Sequence, residues 1–160
     1  MEKDDLLRGK RILIVDDERD VLESLKELLP MCDVVKAFNF EQAKDLMENQ
    51  YFDMAILDIM GVDGYELLEI ARQKKVIAVM LTAHALSTGD VMRSFEGGAA
   101  SYVPKEEMAN ITVYLNDILE AKEKGKNLWW RWLDRFSAYF ERKFGPDWQE
   151  ENKEFWEKYW

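Results

Sequence analysis

At 160 residues and 18.9 kDa, with 48% hydrophobic residues, the chain has the size and composition of one ordinary soluble domain with a little left over. Its 32 acidic against 22 basic residues leave a net charge of −10, which argues against nucleic-acid binding, because affinity for phosphate backbones comes mostly from lysine and arginine. The single Cys32 excludes an internal disulfide, and no apolar run approaches the roughly 20 residues that span a bilayer, so a reducing, cytoplasmic location is expected.

In chain order, RILIV at 11 to 15 is a short β-branched run closed by Asp16 and Asp17, the mark of a buried strand ending at a polar edge. Val21, Leu22, Leu25, Leu28 and Leu29 follow at helical spacing and stop at Pro30. The alternation repeats: strand 34 to 37 and helix 40 to 48, strand 54 to 57 closed by Asp58, and helix 65 to 72. Strand 76 to 81 closes at Thr82 before a helix over 90 to 95, and strand 101 to 103 leads through Pro104 and Lys105 into a last helix from about 107 to 124. Such continuous apolar strands alternating with helices predict a parallel sheet covered on both faces, an α/β doubly wound fold whose ligands bind beyond the carboxyl ends of the strands.

After Gly125 the chemistry changes. All six tryptophans and 12 of the 20 aromatic residues lie there, with 7 basic and 7 acidic residues, so the whole −10 belongs to residues 1 to 124. Trp129, Trp132, Leu133, Phe136, Tyr139 and Phe140 recur at helical spacing up to Gly145 and Pro146. Asp147 and Glu150 have the form of a capping box for a second short helix carrying Trp148, Phe155, Trp156 and Tyr159. Two parts are expected: 1 to 124, and an aromatic helical hairpin over 125 to 160.

Asp16, Asp17, Asp58, Thr82 and Lys105 all fall at or just after strand ends, so the sheet would gather three carboxylates, a hydroxyl and an ammonium at one edge. Clustered carboxylates repel one another and suit a hard cation such as Mg²⁺, which keeps waters that a phosphate can replace. A carboxylate beside that cation can attack phosphorus to give an acyl phosphate, with the hydroxyl and the ammonium receiving the phosphoryl oxygens. Each residue alone also has a plainer reading, the aspartate pair as a helix cap and Lys105 as a solvated charge.

ILIVDDE (12 to 18), MAILDIMGVDGYELL (54 to 68), VMLTA (79 to 83) and GAASYVPK (98 to 105) stand in an order and at separations that resemble the response-regulator receiver domain of two-component signalling, over about residues 9 to 124. The resemblance implies a flavodoxin-like, CheY-like five-stranded sheet of order 2-1-3-4-5. It implies Asp58 as phosphoacceptor, Asp16, Asp17, Asp58 and the Met60 backbone carbonyl as ligands of Mg²⁺ (or Mn²⁺), and Thr82, Lys105 and Tyr102 as the phosphate-binding and switch residues. His84 takes the position that modulates phosphate lifetime at the rim. The implied partner is a histidine kinase or phosphotransfer protein, and the receiver is a self-catalysed phosphoacceptor rather than a turnover enzyme.

Two departures from the family are visible. Only Ile59, Met60, Gly61 and Val62 separate Asp58 from the Asp63-Gly64 pair, a shortened loop without its usual proline, and Glu106 follows Lys105 where the family usually has proline. A phosphoaspartate hydrolase of the haloacid dehalogenase class would need a second aspartate where Met60 stands, and neither a P-loop nor a G-x-G-x-x-G follows the first strand. Three readings of the aromatic segment remain: a structural hairpin folded on the receiver, an output element acting through a downstream protein or a second copy, or a membrane-surface binder, which the acidic body disfavours. A degenerate receiver that keeps the fold without phosphotransfer is the alternative for the whole.

Overall fold

The computed structural model describes residues 6–83, 88–129, 131–148, 150 and 153. Five parallel strands, β1 (Arg11–Val15), β2 (Asp33–Ala37), β3 (Met54–Asp58), β4 (Ile77–Thr82) and β5 (Ser101–Pro104), form one sheet of order β2-β1-β3-β4-β5. Between and after them run α1 (Arg19–Leu28), α2 (Phe40–Asn49), α3 (Gly64–Gln73), α4 (Thr88–Glu96), α5 (Ile111–Glu123) and α6 (Trp132–Phe144). The expected topology is the one found.

Consecutive residues of a strand point to opposite faces, so the complete burial of Ile12, Leu13 and Ile14 shows that helices cover both sides of the sheet centre. At the edge, β2 is only partly buried, and its Lys36 reaches Glu23 of α1 at 2.6 Å. The helices supply their apolar stripes: Leu22 and Leu25 from α1, Leu67, Leu68 and Ala71 from α3, and Leu115 and Ile118 from α5. A reciprocal cap opens α2, where Asn39 accepts from the Gln42 N–H and the Gln42 side chain accepts from the Phe38 N–H.

The last receiver helix starts later than the sequence spacing predicts. Pro104 leaves β5 in an extended conformation, and Lys105–Asn110 first wind into a 3-10 helix, with α5 beginning at Ile111. Glu107 lies in that turn, where its carboxylate accepts from the Tyr114 hydroxyl at 3.1 Å and the Asn110 amide at 3.3 Å, contacts that tie the turn to α5.

Helix α6 joins the same core. Its Trp132, Phe136, Tyr139 and Phe140, flanked by Trp129 and Trp148, are buried in the cluster that contains the sheet. Their spacing of four, three and one residues puts them on one stripe, while Asp134, Glu141 and Arg142 stay exposed. The indole N–H groups need acceptors once buried, and they find main-chain carbonyls: Trp129 donates to Ala99 at 2.6 Å and Trp132 to Tyr102 at 3.0 Å. The Arg135 guanidinium forks onto the buried Asp117 of α5 at 2.9 and 3.1 Å, a paired geometry that offsets the cost of burying that carboxylate. The second helix expected after Pro146 falls largely on residues outside those described.

Candidate functional site

The carboxyl ends of β1, β3 and β4 and the segment after β5 meet at one edge of the sheet, and each delivers a polar side chain there. β1 delivers Asp16, almost wholly buried, and then Asp17, which is exposed. β3 ends on Asp58 and β4 on Thr82, both buried, and Lys105 follows Pro104, which pairs with Thr82 across the ladder. Asp17, Glu18, Asp58, Met60, Thr82 and Lys105 line one cleft of about 350 Å³.

Lys105 bridges the acids. Its Nζ lies 2.8 Å from Asp16 Oδ2, 3.6 Å from Asp58 Oδ1 and 3.6 Å from Glu18 Oε1. Asp16 Oδ1 also accepts from the Glu18 N–H at 2.9 Å. Burial, the neighbouring Asp16 and, more weakly, Asp17 push the Asp58 carboxyl up to about 7 against the pull of Lys105. Burial likewise raises Asp16, opposed by Lys105 and the Glu18 N–H. For Lys105, burial disfavours the ammonium, but the Asp16 hydrogen bond and the charges of Asp58, Asp16 and Glu18 outweigh it and hold its pKa above the ordinary lysine value.

A carboxyl pushed toward protonation by burial and by a second carboxylate marks a place where one more positive charge is stabilising. Oxygen atoms of Asp16, Asp17 and Glu18 lie within 4.8 Å of one another, and such an all-oxygen donor set suits a hard divalent cation. Glu18 is the acid that the sequence reading left without a role, although it closes the ILIVDDE motif.

The short loop after Asp58 is made possible by two glycines. A Cβ on Gly64, the first residue of α3, would stand 2.2 Å from the Asp58 main-chain oxygen, so only glycine lets α3 start this close to the acceptor strand. Gly61, at φ +85, would place a Cβ 2.5 Å from Asp17 Oδ2. Met60, directly before Gly61, is two-thirds exposed at the rim. The Gly64 N–H donates to the Ile59 carbonyl at 3.1 Å and closes the turn.

Of the residues singled out from sequence, Asp17, Asp58, Met60, Thr82 and Lys105 share the cleft, and Asp16 lies beneath Lys105. Tyr102 is not in it. That ring is completely buried one strand over and packs toward Phe140 of α6 at 6.1 Å between centroids. His84 lies outside the described residues. The chain after Lys105 runs on without proline, and the ammonium still reaches Asp16 and Asp58.

A 2-1-3-4-5 parallel sheet with an acidic cleft at its carboxyl edge, and a lysine facing a buried aspartate, defines the phosphoacceptor modules of signal transduction. The chain belongs to the response regulator receiver domain family, whose profile matches residues 12–116. Receiver domains are phosphoacceptors that bind Mg²⁺ through an acidic cluster and interact with histidine kinases or phosphotransfer proteins.

Among similar proteins, the transcriptional regulatory protein CpxR of Escherichia coli K12 is 40% identical over 102 residues, 59% of this chain and 42% of CpxR. The probable transcriptional regulator ycf27 of Guillardia theta is 37% identical over 121 residues, 69% of this chain and 47% of that one. The matches thus span less than half the length of these relatives. In structure, the CheY-like receiver domain protein of Methanospirillum hungatei JF-1 superposes with a TM-score of 0.66 at 31% identity, covering 73% of this chain and 98% of that one. TrrA of Thermotoga maritima, solved in complex with Mg²⁺-BeF, gives a TM-score of 0.53 at 37% identity over 59% of this chain and 85% of TrrA. Among the described residues no helix is long and apolar enough to cross a membrane.

Proposed function

We propose that Asp58 accepts a phosphoryl group from a phosphohistidine on a histidine kinase or phosphotransfer protein. One Asp58 carboxylate oxygen forms the new O–P bond as the donor P–N bond breaks, and the imidazole leaves with its nitrogen lone pair. Asp16 and Asp17, with Asp58 and the Met60 carbonyl, would hold Mg²⁺ or Mn²⁺, which when bound would neutralise charge in the acidic cleft and on the phosphoryl oxygens. Thr82 donates to one phosphoryl oxygen, and the Lys105 ammonium turns from Asp16 toward another. Hydrolysis of the acyl phosphate returns the carboxylate. Tyr102 takes the switch role, and His84 the modulation of phosphate lifetime, that the resemblance to the family implies.

The observation that carries this reading is the position of Lys105, 3.6 Å from Asp58 and 2.8 Å from Asp16, at the mouth of a cleft whose Asp58 is pushed toward protonation by burial and by Asp16. Output is by protein–protein interaction, and the −10 of residues 1 to 124 disfavours a direct nucleic-acid contact by this stretch. Among the described residues, the Trp129, Trp132 and Trp148 side chains are buried and not presented to a membrane surface. The test is intact-mass analysis after incubation with phosphoramidate and Mg²⁺. One added phosphoryl group, mapped to Asp58 and lost in Asp58→Asn, is expected. No gain under these conditions would leave a receiver fold without phosphotransfer.

A further inference from the structure

Helix α6 grips the chain on both sides of Lys105. Before it, the Trp132 indole N–H donates to the Tyr102 carbonyl at 3.0 Å. After it, the buried Tyr139 hydroxyl donates to Glu106, the residue directly following Lys105, and Lys143 one turn further on lies 3.6 Å from the same carboxylate. Glu106 stands where the family usually has proline, whose ring would stiffen the backbone by itself. Here the contacts that tie the segment down come from α6. The Lys105 ammonium rests 2.8 Å from Asp16 and 3.6 Å from Asp58, and any shift of its Cα has to be absorbed by its side-chain torsions or passed on to those contacts.

We infer that Tyr139, acting through Glu106, is a positioning residue for Lys105, so that the aromatic extension is a working part of the phosphoryl-transfer site and not only a cover on the receiver. The inference rests on the proposed role of Lys105, but the contact itself is independent of phosphorylation. Tyr139 touches neither Asp58 nor the cleft. It fixes the turn that aims the ammonium between Asp16 and Asp58, and misplacement of a reacting or charged group by about 1 Å is costly in a site of this kind.

The test uses the full chain. Tyr139→Phe keeps the buried ring and removes the hydroxyl. The rate of Asp58 phosphorylation at saturating phosphoramidate should fall about fivefold, with the half-saturating donor concentration little changed, since the loss is in transition-state placement rather than donor binding. Glu106→Ala should behave the same, and the double variant no worse than either alone, as expected for two residues acting as one unit. Glu106→Gln, which keeps an acceptor for the tyrosine, should stay near the parent. In the unphosphorylated chain, the ammonium resonance of ¹⁵N-labelled Lys105, assigned with Lys105→Arg, should move in Tyr139→Phe and in Glu106→Ala.

If the parent takes up no phosphoryl group, the proposed function fails and the resonance alone decides the positioning role: movement supports it and no movement overturns it. An unchanged rate and resonance in Glu106→Ala, a variant that leaves the aromatic core intact, overturns it even if Tyr139→Phe folds poorly. Additive losses in the double variant overturn it as well.

Discussion

Asp58 carries the cost of its neighbourhood. With burial, Asp16 and Asp17 favouring its proton and its pKa pushed up to about 7, the folded chain binds that proton more tightly than the unfolded chain, whose aspartate titrates near 3.8. Between those values the folded state holds the excess proton, so metal-free stability falls as pH rises from about 4 to about 7 and then levels. Asp58→Asn should remove most of that slope and raise metal-free stability at pH 8 by about 2 kcal/mol, read from urea melts. An equal slope in the variant would place the titration elsewhere. Gly64 poses a steric problem instead. Its missing Cβ would meet the Asp58 oxygen at 2.2 Å and the Ile59 Cα at 2.7 Å, both backbone atoms that cannot swing aside. Gly64→Ala should cost about 3 kcal/mol and slow phosphoryl uptake, because relief comes only by moving the strand end that carries the acceptor. At this scale the sequence displayed Asp16, Asp17, Asp58, Thr82 and Lys105, since strand ends can be counted along the chain. It did not display Glu18 as part of the acidic group or Glu106 as a contact, because a carboxylate outside an expected position reads as one more surface charge.

Strands and helices followed the apolar spacing closely, and the expected sheet order was found. The exceptions are where a tertiary contact decides: α5 is delayed by the 3-10 turn that Glu107 ties to Tyr114, and the amphipathic pattern of α6 could not say which face of the body it would cover. The partners that settle the latter, Ala99, Tyr102 and Asp117, lie far back in the sequence. Two kinds of fastening should separate by size. Phe140→Ala empties a fully buried site beside Trp132 and Trp148 and should cost roughly 3–5 kcal/mol. Arg135→Ala leaves Asp117 with the longer contact to Arg131 at 3.4 Å, and because the arginine is partly solvated the loss should be about 1–2 kcal/mol. Thermal melts of the full chain with the two variants side by side check the ranking, and a larger loss for Arg135→Ala would mean that charge rather than aromatic packing holds the helix.

For the molecule as a whole, the acid excess of residues 1 to 124 and the neutral aromatic segment belong to one packed body. Mg²⁺ at about 100 times its dissociation constant should stabilise the fold by about 2.7 kcal/mol through mass action. Asp17→Asn should lose most of that gain, with NaCl at matched ionic strength controlling for general screening of the −10. A gain of undiminished size in Asp17→Asn would locate the ion away from the cleft. The extension also gives the protein an optical character of its own. Trp129 and Trp132 sit with ring centroids 4.9 Å apart and planes inclined at 47°, close enough for their excited states to mix rather than belong to either ring, and skewed enough for the mixed transitions to be chiral. Such a pair is expected to add a signed exciton couplet to the circular dichroism at the strong far-ultraviolet indole band, sensitive to the tilt of the two indoles. That couplet is an unlabelled gauge of how the extension sits on the body that carries Asp58.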